Sequence, residues 1–132
     1  MMNNHWASKY IGEPWVAHEN DCWAFCRRIW AEHYNLLVPI IDVDATKLIN
    51  IAHAFKDNDE RKLWSQVLKP TDGDAVLMAH CRHPSHIGIW IDTDLGGILH
   101  CMKGPGVVFT SMMSAKLAGW GRLEFYRRGI ES

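Results

Sequence analysis

A helical first half followed by a run of short β-prone segments predicts an α+β fold, with N-terminal helices packed on a mainly antiparallel sheet of about five strands. Three observations carry that prediction. Apolar residues recur at helical spacing only before Pro70. From Asp74 onward the apolar stretches are short and alternate with polar residues. The spacers between them carry Pro84, Gly96-Gly97 and Gly104-Pro105-Gly106, which is turn chemistry.

The elements follow in order. From Asp21 to about His33 the positions Cys22, Phe25, Cys26, Ile29, Trp30 and His33 fall on one helical face, and Asn20 and Asp21 are suited to the N-cap. A second helix is expected from about Asp44 to Phe55, with Leu48, Ile51, Ala52 and Phe55 on one side, and a third from about Asp59 to Leu68. Pro70, Asp72 and Gly73 end the helical half. Strands are expected at Asp74–Ala79, His86–Asp92, Gly97–Met102, Val107–Thr110 and Arg122–Arg127, with a short helix from Ser111 to Gly119 before the last.

Size and charge bound the rest. A chain of 132 residues and 15.1 kDa folds to about 7,000 Å² of surface from about 22,000 Å² when extended, enough for one core but not two. Residues 1–132 therefore read as a single domain. Fourteen Lys and Arg against fifteen Asp and Glu leave a net charge of −1, which offers no footprint for nucleic acid or an anionic membrane. The longest apolar run, Leu36 to Ile41, is interrupted by proline and too short to span a bilayer. The start, Met-Met-Asn-Asn-His-Trp, has no signal-peptide pattern, so the chain is expected to be cytoplasmic as synthesised. In that compartment Cys22, Cys26, Cys81 and Cys101 are free thiols, ligands or a nucleophile rather than a disulfide framework.

Cys22 stands in the first turn of the predicted helix, where unpaired backbone N–H groups and the helix dipole favour a thiolate. A thiol nucleophile needs a proton-transfer partner held by a third group. His86 opens the segment His86-Ile87-Gly88-Ile89-Trp90-Ile91, in which the three isoleucines share one face and His86, Gly88 and Trp90 the other. His100 on the next strand reaches that second face only if the register pairs even with even, which the loop from Thr93 to Gly97 leaves open. Gly88 is expected to leave an opening for close approach of a helix end or substrate backbone. Cys26 reads as a small buried apolar residue.

These residues also stand in a familiar order. Ile11-Gly12-Glu13-Pro14-Trp15, then Asn20-Asp21-Cys22-Trp23-Ala24-Phe25, resembles the opening motif of the NlpC-type cell-wall cysteine peptidases. Pro70-Thr71-Asp72-Gly73-Asp74 resembles that family's Pro-Gly-Asp stretch, Pro84-Ser85-His86-Ile87-Gly88-Ile89-Trp90 its His-Val-Gly-Ile-Tyr motif, and Ile98-Leu99-His100 the site of its third catalytic residue. The aromatic after the cysteine and the late Gly106-Val107-Val108-Phe109 look most like the branch found as tail-assembly proteins of tailed phages.

The resemblance implies a papain-like α+β fold with Cys22 as nucleophile, His86 as base and His100 as its orienting partner. It implies hydrolysis of peptide bonds in the peptidoglycan stem, with no cofactor and no metal. Candidate substrate-binding residues are Asp21, Trp15, Trp23, Gly88 and Trp90. Trp23 and Ala24 stand where relatives carry Ser and Gly, and Trp15 stands where they carry Tyr. Phage tail-tip proteins are the candidate partners and a virion tail the expected destination.

Two other readings compete. The fold can be retained as a non-catalytic structural or tail-assembly part. Alternatively Cys81, His83 and His86 with Cys101 offer zinc-compatible ligands, although their spacing fits no standard finger. Asp42-x-Asp44, Asp72-Gly73-Asp74 and Gly104-x-Gly106 read as caps and turns, and Trp6, Trp30, Trp64 and Trp120 as packing residues.

Overall fold

The computed structural model describes residues 5–38, 63–81, 84–93 and 95–129. Helix α1 spans Cys22–His33, as its apolar spacing predicts. Asp21 caps it, one carboxylate oxygen accepting from the Ala24 N–H at 2.8 Å and the other from the His18 N–H at 2.9 Å. A 3-10 turn, Trp6–Tyr10, precedes it. That turn is fastened to the far end of α1 by the Trp6 indole stacked 3.7 Å from the His33 ring and by the Tyr10 hydroxyl, 2.9 Å from His33 Nε2.

Six strands follow: β1 (Trp64–Val67), β2 (Ala75–Ala79), β3 (His86–Ile91), β4 (Gly97–Met102), β5 (Gly106–Thr110) and β6 (Arg122–Arg128). Every neighbouring pair is antiparallel, in the order β1-β6-β2-β3-β4-β5. A second helix, α2 (Met112–Leu117), sits between β5 and β6 with Ser111 as its N-cap. The class is α+β as expected, with one strand more than the five predicted. The extra strand is β1, which takes the place of the later part of the third helix expected from about Asp59 to Leu68; residues 59–62 lie outside the described residues. A helix there would have to bury Leu63 and Leu68, yet both are exposed, while Trp64 is buried against Trp30 with ring centroids 5.1 Å apart. Pairing with β6 and one anchoring indole override helical spacing. The helix expected from Asp44 to Phe55 lies outside the described residues.

The strands alternate cleanly between two faces. On one face Leu77, Ile87, Ile89, Ile91 and Leu99 pack beneath Phe25, Cys26, Ile29 and Trp30 of α1. Trp30 is wholly buried and its indole N–H donates to the Gly73 carbonyl at 2.9 Å, so helix and sheet are joined by both packing and a hydrogen bond. Each such side chain contributes about 1.5–3 kcal/mol by burial. On the opposite face Val76, Met78, Trp90, Ile98 and Phe125 are covered by Ala115 of α2 and by Trp120. No helix among the described residues is long and apolar enough to cross a membrane.

The edge of β5 is covered by the stretch around Gly12 and Glu13. The Gly12 N–H donates to Val107 O and the Val107 N–H to Glu13 O, both at 2.9 Å. Gly106 permits this approach. Its φ is 79° and a side chain there would strike the Glu13 carbonyl oxygen.

Candidate active site

The β3–β4 register decides where the histidines point. Trp90 pairs with Ile98 and Ile89 with Leu99, so even positions face even positions and His86 and His100 share the face covered by α2 and Trp120. The turn between the strands closes through the Gly96 N–H to Thr93 O bond of 2.7 Å, with Gly96 at φ 83°. His86 Nε2 lies 2.9 Å from His100 Nδ1, and His100 Nε2 lies 2.8 Å from Thr110 Oγ1. Both rings are buried. The Trp120 indole lies over His86, centroids 5.5 Å apart at 20°, and also stacks against His80 at 3.8 Å.

Burial decides the protonation of this line. Desolvation holds His86 well below the ordinary histidine value, helped by the neighbouring His100 and His80, and pushes His100 down to about 4. Both imidazoles are therefore neutral at pH 7.

Gly88 explains why the pair fits. A Cβ at residue 88 would lie 2.6 Å from Ile98 Cγ2 and 2.9 Å from His100 Cβ. The space that the sequence left open there for a helix end or substrate backbone is occupied by β4 side chains.

Cys22 begins α1 and has no exposed surface. The backbone N–H groups of Ile87 and Trp23 lie near enough to its sulfur to favour the anion. The nucleophile candidate thus touches β3 at the residue directly after His86. Ile87 faces α1, however, and His86 faces the other way, so sulfur and imidazoles meet the sheet from opposite sides at one end of β3. Among the described residues no hydrogen bond joins Cys22 to a histidine.

The thiolate expected at the helix start is opposed by its surroundings. Burial, then the Asp21 carboxylate beside it, pushes the Cys22 thiol up to about 12, outweighing the two backbone N–H groups that favour the anion. Cys26 is raised further still by burial.

The expected substrate-binding residues are not gathered in one place. Asp21 uses both carboxylate oxygens to cap α1. Trp23 is buried edge-on against Trp30 in the core rather than lining a cleft. Trp15 is half-buried near Lys103, whose ammonium sits 5.4 Å from its ring. Trp90 lies on the histidine face, packs against Phe125, and donates its indole N–H to Asp92 at 2.7 Å.

The zinc reading loses its ligand set. Cys101 faces α1 and donates its thiol to Asn20 O at 3.1 Å, on the opposite side of the sheet from His86. Cys81 is exposed, and His83 lies outside the described residues. Among the described residues no group of three His, Cys, Asp or Glu side chains is placed to hold a metal.

Two residues at the site went unread in the sequence, Thr110 and the stacking role of Trp120. Thr110 was discoverable by parity. It is an even position of β5, and the strand pairs His100 with Val108 and Ile98 with Thr110, so Thr110 is the diagonal neighbour of His100 on the same face. No protein-family model matches the chain, and neither does any curated protein.

Proposed function

We propose that the chain is a thiol hydrolase of the papain-like, NlpC type that cleaves peptide bonds of the bacterial peptidoglycan stem, carried by a phage or prophage tail. The observation that carries this reading is the buried line His86–His100–Thr110, which starts one residue from Ile87, whose backbone N–H lies near the Cys22 sulfur. A hydrogen-bonded histidine pair inside an apolar sheet face is costly, and apolar side chains would fill the space as well. Adjacency to a thiol at a helix start gives the pair a use.

The chemistry follows from which nitrogens are occupied. His86 Nε2 is engaged with His100, so on this reading Nδ1 takes the Cys22 proton as sulfur attacks the substrate carbonyl carbon, which requires the imidazole to reach the sulfur around the end of β3 from the opposite face. In the first turn of α1 the Ala24 and Phe25 N–H groups are used by Asp21, which leaves that of Cys22 for the developing oxyanion. Collapse expels the amine with the proton from His86, and water then hydrolyses the thioester. Because thiol and imidazole both rest neutral, proton transfer accompanies attack rather than preceding it.

A protonated, enclosed Cys22 with no histidine hydrogen bond favours a second reading, a non-catalytic tail-assembly protein that keeps the fold. Incubating purified stem peptides with wild type and Cys22→Ala separates the two. Cleavage by wild type alone supports the hydrolase; identical peptide profiles from both proteins support the assembly role.

A further inference from the structure

We propose that Thr110 is a positioning residue that sets the tautomer of both histidines and leaves His86 Nδ1 as the bare nitrogen of the pair. The inference rests on reading Cys22, His86 and His100 as the reacting set. A neutral imidazole has one N–H and one bare nitrogen, and the line has two links, His86 Nε2 to His100 Nδ1 at 2.9 Å and His100 Nε2 to Thr110 Oγ1 at 2.8 Å. Only two proton arrangements satisfy both links. In one, each ring carries its proton on Nε2, and Thr110 accepts. In the other, Thr110 donates, each ring carries its proton on Nδ1, and His86 can no longer take a proton there.

One feature favours the first arrangement. Thr110 is half-buried while both histidines are nearly sealed, so its hydroxyl proton can go to water while its oxygen accepts from His100. The hydroxyl of Thr110 thus prepares a base two side chains away without touching substrate.

The test is tautomer assignment by long-range ¹⁵N–¹H correlation at pH 7 on wild type, Thr110→Val and Thr110→Ser, with stem-peptide kinetics beside it. Wild type and Thr110→Ser are expected to show both rings protonated on Nε2. Thr110→Val loses the single tautomer at His100, and kcat falls roughly ten- to a hundredfold, as for other residues that orient a reacting group through a hydrogen bond, with KM little changed. Nδ1 protonation in wild type, or a valine variant matching wild type in tautomer and kcat, overturns the proposal. If Thr110→Val does not fold, the wild-type and serine spectra decide. If wild type cleaves nothing, the hydrolase reading fails while the spectra still determine what Thr110 does.

Discussion

Removing one member of the buried pair tests its protonation directly. His100 binds its proton at about 4 in the folded protein against an ordinary value of 6.5. The unfolded chain therefore takes up that proton first as pH falls, so the stabilisation is complete above 6.5 and is lost below it. At pH 5 the unfolded state holds nearly one proton more at this site, a loss of about 2 kcal/mol relative to neutral pH from His100 alone. His86 shifts in the same direction and adds to the loss. The comparison that isolates His100 is urea unfolding of wild type and His100→Asn at pH 7.5 and pH 5. Wild type should lose about 2 kcal/mol more than the variant between those pH values, about 1 M in urea midpoint. Equal losses in the two proteins refute a neutral, buried His100.

Other perturbations address the packing and the thiol. Gly88→Ala places a methyl group against Ile98 and His100 and should cost about 1–3 kcal/mol by overpacking, read from thermal or urea unfolding; a neutral effect contradicts the close approach of β3 and β4. Trp30→Ala removes the wholly buried indole that joins α1 to the sheet, with an expected loss of about 3–5 kcal/mol and disruption of the α1 face in hydrogen exchange. Limiting iodoacetamide at pH 7 should label the exposed Cys81 before Cys22. Asp21→Asn keeps a capping oxygen but removes the charge that raises the thiol, so Cys22 alkylation should shift to lower pH in that variant. Labelling of Cys22 first, or no shift with Asp21→Asn, contradicts a thiol held protonated by burial and Asp21.

The legibility of this fold in its sequence differs by element. Helix α1 was readable because its periodicity and its cap, Asp21, are local features, and β3 because three isoleucines alternate with His86, Gly88 and Trp90. The shared face of His86 and His100 was readable only as a condition, since register depends on how the Thr93–Gly97 turn closes. β1 is hidden from the sequence because Trp64 is positioned by its pairing with Arg128 in a distant strand, not by its neighbours. The surroundings of Cys22 are hidden from the sequence for a related reason. The helix N-terminus that favours a thiolate is visible in the sequence, but the burial that outweighs it comes from β3 folding over the sulfur. Gly88 reads in the sequence as a gap, but tertiary packing puts Ile98 and His100 of β4 into that space.

The hydrolase reading is tested most directly by trapping its intermediate. Stem peptide is mixed with enzyme, quenched in acid within the first turnovers, and the digested protein is examined by mass spectrometry. An acyl increment on the peptide containing Cys22, absent after His86→Ala, is the predicted result. Turnover without an increment on Cys22, or no turnover by wild type, contradicts it.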